Sequence, residues 1–310
     1  MTAPGDDRPR LLVVGGCGGL VGRAVLEEFA ADHRIRSAHR QPLPAESARG
    51  VEFVAADAAT VPDWRPLLEG VDTVLNLAWY RDGKNPRFAP LRAGLLRLVR
   101  AADAARVRRF VHLSVPDAPP ELERDLPYLA YRREVDRAIA ASGLSYAIVR
   151  PTMLFAPGDR LATVMLRTIA RYRRLPLFGE GEYHLSPVST RDLARALRIE
   201  GERGGGRTVT MGGPRRWTYR ELAERMFAAF GRPPRYLHLS RRNSVRLAWF
   251  LETFGSTLLY KYEVEWLLSD MLGVPAYDGL DRPLEPIGPF LDREAARLGA
   301  PARPGTGTAE

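Results

Sequence analysis

Five glycines crowd into positions 15 to 22, where Gly15, Gly16, Gly18, Gly19 and Gly22 follow the apolar run Leu11–Val14 and lead into LVGRAVL. The run has the composition of a strand buried on both faces, and the glycines cannot continue it. The spacing Gly16, Gly19, Gly22 lets a chain turn tightly, bring backbone N–H groups close to a phosphate and seat the following helix against the strand. A pyrophosphate would then rest at the positive end of that helix. A strand before and a helix after separate a dinucleotide site from a plain strand-to-helix turn. Further along, Arg34–His39 (RIRSAH) reads as a second strand with Arg40 directly after it. At that point in a doubly wound sheet an acidic side chain holds the ribose 2′-OH of NAD, whereas an arginine suits the 2′-phosphate of NADP. Arg40 thus points to NADP(H) over NAD(H), although with 46 Lys+Arg in 310 residues a basic residue there also arises by chance.

The elements that must position these residues alternate. Val51–Ala55 (VEFVA), Val71–Ala78 (VDTVLNLA), Phe110–Ser114 (FVHLS) and Ser145–Arg150 (SYAIVR) are further runs of strand length. Pro86–Ala105 places Leu91, Leu95, Leu96 and Val99 on one helical face. Such alternation predicts an α/β fold, a parallel doubly wound sheet with helices on both faces and ligands over the carboxyl ends of its strands. The loop Trp79–Pro86, with its Arg-Asp-Gly-Lys run, belongs to that edge.

GGCGGLVG resembles the phosphate loop, G-x-x-G-x-x-G, of the extended and atypical short-chain dehydrogenase/reductases. VDTVLNLA, the Arg-rich turn into FVHLS, the turn Arg150-Pro151-Thr152-Met153 and the stretch from Pro176 to Ala194 are similar to further segments of that superfamily. The last third resembles the atypical, NmrA-like members related to the NAD(P)-binding accessory subunit of respiratory complex I. The likeness covers about residues 10–300. It implies a Rossmann-type sheet over 8–157, rejoined by late strands and a helix from about 186–213, with a smaller, interleaved C-terminal substrate region over 158–300. Gly16, Gly18, Gly19, Leu20, Val21 and Gly22 would hold the cofactor phosphates, Asp57 and Ala58 the adenine, Leu77 and Ala78 the adenosine and ribose, and Pro151 and Met153 the nicotinamide side. Asp57 has a second reading as a helix cap, and so do Thr60 and Asp63 around Pro62.

The same resemblance implies a catalytic Tyr-x-x-x-Lys pair on one helical face, since side chains four apart meet. Counting back from Asp136, Tyr128 and Arg132 fill the two places in this chain. The tyrosine would transfer a proton, while the cation favours its phenolate and holds the ribose. Arginine stays charged but presents a planar fork where the superfamily has an ammonium. Tyr131 is the other phenol available, although Val135 then stands four along. Ser114 ends a strand beside the expected nicotinamide, and the superfamily's usual Ser/Thr position falls on Val115. Ser114 either substitutes for it or is a strand-end hydroxyl bonding the backbone.

Beyond Pro151, Leu161–Arg173 reads as a basic amphipathic helix, Thr208–Gly213 as a strand, and Thr218–Gly231 as a helix with Leu222, Met226 and Phe227 in line. Ser189 or Thr190 caps another helix with Asp192 in its first turn, and Tyr183 and His184 face either a cleft or solvent. Ser244–Leu272 carries two apolar helical patterns with Trp249, Phe250, Phe254, Trp266 and Leu267. Plain core is the favoured reading for them, with pocket wall and weak membrane-surface contact as alternatives. Residues 301–310 read as a disordered tail.

Composition bounds the function classes. A hydrophobic share of 45% and a charged share of 27% are those of an ordinary globular chain. The net charge of +9 is spread over scattered arginines, with Lys84 and Lys261 the only lysines, a bias that fits codon preference; no nucleic-acid motif accompanies it. Cys17 is the single cysteine, which excludes an intrachain disulfide and a multi-cysteine metal site and fits a reducing cytoplasm, the expected compartment. The polar start MTAPGDDRPR lacks a signal-peptide core, and no apolar run reaches transmembrane length. The sequence therefore leads to an NAD(P)H-dependent reductase or dehydrogenase of a small organic substrate without a metal. A non-catalytic NADP(H)-binding sensor, assembly or scaffold protein and a cofactor-retaining epimerase or dehydratase are the alternatives.

Overall fold

The computed structural model describes residues 7–43, 49–80, 88–125, 127–159, 161–254 and 261–299. The Arg-Asp-Gly-Lys run, Pro86 and residues 301–310 lie outside them. The chain forms two compact units, one of Met1–Val115, Pro119–Arg150 and Leu193–Val209, the other of Pro116–Ala118, Pro151–Asp192 and Thr210–Glu310.

The first unit is built on a seven-stranded sheet. Strands β1 (Arg10–Val14), β2 (Arg34–His39), β3 (Glu52–Ala55), β4 (Thr73–Asn76), β5 (Arg109–Leu113) and β6 (Tyr146–Pro151) pair in parallel, and Arg207–Met211 adds an edge next to β6. Across the sheet the order is Arg207–Met211, β6, β5, β4, β1, β2, β3, so the winding reverses between β1 and β4. In doubly wound sheets that reversal opens the ligand crevice at the strands' carboxyl ends. Leu11 to Val14 are fully buried, as a central strand with helices on both faces requires.

The helices of this unit are α1 (Leu20–Phe29), α2 (Arg65–Leu68), α3 (Phe88–Ala104), α4 (Pro120–Asp125) and α5 (Pro127–Ala140). Helix α3 turns Leu91, Leu95, Leu98, Val99 and Ala102 into the core, where they meet Trp64, Val74, Phe110, Val135 and Ile139. Its Gly94 is required by contact, because a Cβ there would lie 1.8 Å from the Ala58 carbonyl oxygen. The Asp63 carboxylate accepts the Arg65 N–H (3.0 Å) at the start of α2, but the N-cap of that helix is Trp64 and neither Thr60 nor Asp63 caps it.

The second unit has its own apolar core, including Met153, Phe155, Leu166, Leu177, Trp217, Tyr219, Phe227, Val264 and Leu291. Leu222, Met226 and Phe227 are buried along the helix Tyr219–Ala229, which Thr218 and Glu221 open with a reciprocal cap. Ser189 accepts the Asp192 N–H (3.0 Å) and so caps the helix Thr190–Arg203. Tyr183 is not a solvent-facing residue but lies buried against Tyr219, while His184 pairs with Asp270 at 3.0 Å. The core reading of the C-terminal aromatics holds only in part. Leu267 is buried, but Trp249, Phe250 and Phe254 are exposed, because the helix Arg241–Thr253 turns its small residues Ser244 and Ala248 inward.

Candidate dinucleotide and active site

The turn after β1 is made of backbone. Gly15 and Gly16 take φ of +67° and +71°, the left-handed region that favours glycine. A Cβ on Gly15 would fall 2.7 Å from the Ala78 Cα, and one on Gly16 would fall 2.9 Å from the Leu77 Cβ. The turn thus lies directly against the segment leaving β4, which brings two of the predicted cofactor stretches together at the winding reversal. Gly19 is the N-cap of α1 with extended backbone, no side chain caps that helix, and no acidic residue stands in its first turn. The helix start at Leu20 and Val21 therefore carries no anionic side chain in its own cap or first turn, which suits a phosphate-binding helix start. Gly22 seals helix to turn, because its Cβ would stand 2.2 Å from the Gly16 carbonyl oxygen. Gly18 is less constrained, with only the Leu43 side chain near its Cβ position, at 3.4 Å. Cys17 is fully buried beneath the turn and accepts a hydrogen bond from the Ser37 hydroxyl at 3.2 Å.

On the β2 side, Arg40 is exposed, and its guanidinium carbon lies 6.0 Å from the centre of the Tyr80 ring. The Tyr80 hydroxyl donates to Asp57 (2.9 Å), which also accepts the Ala59 N–H (3.0 Å). Asp57 therefore orders its own turn and anchors an aromatic ring beside Arg40. Ala58 is buried next to it. Trp79 and Tyr80 open the loop that the sequence assigns to the ligand edge, and the structure adds that both rings hold cationic side chains there.

Helix α5 carries Tyr128, Arg132 and Asp136 at intervals of four, so all three share one face. Tyr128 and Arg132 are both buried. The Arg132 guanidinium stacks on Trp79, 4.1 Å from the ring centre, and reaches the Ala78 carbonyl at 3.5 Å. The Tyr128 ring meets the same indole edge-on at 5.7 Å. Burial lowers the Arg132 pKa to about 10, against the attraction of Asp136 and of a Tyr128 phenolate, so the side chain remains a cation at neutral pH. Tyr131 is set apart from this pair, with its ring against the Arg92 guanidinium at 5.3 Å. Tyr128 and Arg132 thus meet on Trp79, and Arg132 also reaches Ala78, the residue that packs against Gly15.

Ser114 does not bond the backbone with its hydroxyl but donates it to Asp136 at 2.9 Å. The same carboxylate accepts from Arg133 and from Arg150, each at 2.9 Å, and Arg133 also donates to the Val115 carbonyl at 3.2 Å. Burial would raise the Asp136 pKa, but the donors around it, with the Arg150 charge, more than offset this and hold the carboxyl well below the usual carboxylate range. Strand register extends the cluster. Asn76 of β4 faces Val14 on one side and His112 of β5 on the other. Its amide oxygen accepts the Ala78 N–H (3.1 Å), which turns the amide nitrogen toward His112 Nδ1 at 3.0 Å. His112 Nε2 then carries the proton and lies 3.4 Å from Asp136. A chain of contacts thus runs from Ala78 through Asn76 and His112 to the helix that holds Tyr128 and Arg132. His112, Asn76 and Arg133 are partners that sequence reasoning missed. Pro151 and Met153 belong to the second unit, where both are buried and Met153 packs into the apolar core. Among the described residues no cluster of His, Cys, Asp or Glu could hold a metal, and no helix is long and apolar enough to cross a membrane.

A glycine turn bared for phosphate at the winding reversal of a parallel sheet is the mark of a dinucleotide-binding protein, and the residues fit that group. The chain belongs to the NAD(P)H-binding family, which it matches over residues 16–171, and is an atypical short-chain dehydrogenase/reductase. It is similar to a 2-alkyl-3-oxoalkanoate reductase of Stenotrophomonas maltophilia, 27% identical over 253 residues, which are 72% of this chain and 76% of that protein. An NAD(P)H azoreductase of Xenophilus azovorans is 26% identical over 306 residues, covering 94% of this chain and 99% of the relative. In fold it resembles the NADPH-dependent quinone oxidoreductase of Escherichia coli in complex with NADPH, with a TM-score of 0.70 at 19% identity over 91% of this chain and 99% of the other.

Proposed function

We propose that this protein is an NAD(P)H-dependent reductase of a small organic carbonyl substrate. The observation that carries the reading is the buried, charged Arg132 beside Tyr128, stacked on Trp79 at the edge of the glycine turn. The helix opening at Gly19–Gly22 would hold the pyrophosphate, and Arg132 the ribose hydroxyls. The reduced nicotinamide supplies the hydride when bound. Tyr128 gives the proton that the substrate oxygen takes up, and Arg132 favours the phenolate left behind. Reductases among the relatives support the reaction class.

Assays of nucleotide oxidation against a panel of carbonyl and enone substrates test this. Turnover survives Arg132→Lys and falls sharply in Arg132→Met, together with nucleotide affinity. Tyr128→Phe lowers kcat by about 10²–10⁴ while leaving nucleotide affinity unchanged. A second reading, a nucleotide-holding sensor or scaffold, draws on Val115 at the usual hydroxyl position and on the Ser114 proton directed to Asp136. In that case nucleotide binds, no substrate is turned over and only Arg132→Met has an effect. For the cofactor, we infer a preference for NADPH through Arg40, which stands exposed beside Tyr80. Calorimetry of Arg40→Asp should show that preference abolished, and equal affinities in the unaltered protein would refute it.

A further inference from the structure

The second unit carries a surface that the nucleotide site does not use. Along the helix Arg241–Thr253 and its C-cap residue, Trp249, Phe250 and Phe254 are 51%, 52% and 74% exposed, and Leu247 adjoins them at 37%. The Phe250 and Phe254 rings pack against each other at a tilt of 47°, 4.5 Å between centres. Arg242 and Arg246 are exposed on the same helix, whose one carboxylate, Glu252, is half-buried and accepts the Lys261 N–H at 3.1 Å. At 100° per residue, Arg242, Arg246, Trp249, Phe250 and Phe254 all fall on the side opposite the buried Ser244 and Ala248. Large aromatic side chains gathered on one helical face seldom stay bare to water without a role.

We propose that this face docks on an anionic bilayer surface, with the aromatic rings seated among the headgroups and Arg242 and Arg246 against lipid phosphates. Aromatic anchors mixed with basic residues on a helix that lies in the plane of the interface are what such a surface selects. Arginine stems also cover apolar area while the charged head stays at the phosphate level. A second copy is the less suitable occupant, since a two-fold pairing through this helix would set the same arginines against one another with no exposed carboxylate on the helix to relieve them.

Flotation of the full chain with phosphatidylcholine vesicles, with and without phosphatidylglycerol, tests the assignment. Binding is expected only with phosphatidylglycerol and should weaken as salt is raised. It should fall about tenfold or more in the pair Arg242→Glu/Arg246→Glu and in the pair Trp249→Ser/Phe250→Ser. Nucleotide affinity and the unfolding temperature of both variants should stay unchanged, because the altered side chains are exposed. No binding to anionic vesicles, equal binding by the variants, or binding that ignores lipid charge and salt would each overturn the proposal. So would a dimer in sedimentation velocity that the same substitutions dissolve.

Discussion

The turn after β1 is built from backbone, and each of Gly15, Gly16 and Gly22 is needed because a Cβ would strike a neighbour. At the carboxyl end of β5, a short distance along the same sheet, the protein buries charge. There Asp136 gathers Ser114, Arg133 and Arg150, with His112 and Arg132 close by. The two regions teach different lessons about specification. The first depends on what is missing from its side chains and tolerates little addition. The second depends on mutual neutralisation, so any single removal leaves a buried partner exposed to its desolvation penalty.

The sharpest way to break the comparison is to delete the hub. Asp136→Ala should destabilise the protein by about 3–5 kcal/mol in urea unfolding, because two largely buried guanidinium groups lose their shared carboxylate. A loss under about 1 kcal/mol would mean that water or other groups already compensate those charges.

The backbone region answers to a different probe. Gly22→Ala pushes a methyl toward the Gly16 oxygen and the Cys17 Cα, at 2.2 and 2.4 Å, where rigid backbone cannot give way. Overpacking of that kind costs about 1–3 kcal/mol and should weaken nucleotide binding by displacing the turn from the helix. Gly18→Ala meets only the flexible Leu43 side chain at 3.4 Å, so its effect on stability should stay within about 0.5 kcal/mol. Equal losses from the two substitutions in denaturant titrations would show that the turn relaxes as a whole.

This difference also explains how far the sequence could be read. The glycine turn, all six parallel strands and the pairing of Tyr128 with Arg132 each leave a local signature, a spacing or a run within one short segment. Asn76, His112 and Asp136 come from β4, β5 and α5, and only strand register sets the first two side by side. No local pattern announces such a meeting, and the same holds for Ser114, whose hydroxyl partner Asp136 lies 22 residues away on α5. The exposure of the C-terminal aromatics has a related cause. Trp249, Phe250 and Phe254 fit an apolar helical pattern, but which side of a helix faces the core is decided by packing against other elements, and Ser244 and Ala248 took that side.

A further expected effect separates the two regions by pH. His112 is fully buried, and burial lowers its pKa, opposed by Asp136 and by the contact with Asn76 and reinforced by the nearby Arg132 charge. The unfolded chain takes up a proton on this residue as pH falls through about 6.5, while the folded chain, with its depressed pKa, does not. The unfolded state then binds more protons, so the stability associated with neutral His112 is present above that pH and is lost progressively below it. Asp136 acts in the same direction at lower pH, since its folded pKa lies under the unfolded value near 4 and its contribution disappears as the solution is acidified past that point. Unfolding free energies of the unaltered protein measured from pH 7.5 to 5 should therefore decline, by no more than the slope of one proton from this group. His112→Gln, which keeps a polar side chain opposite Asn76, should be less stable at pH 7.5 and show a flatter decline. Gly22→Ala should retain the full slope, because its damage is steric and carries no charge. A decline of the same steepness in all three proteins would assign the acid sensitivity to groups outside this cluster and remove His112 from the account.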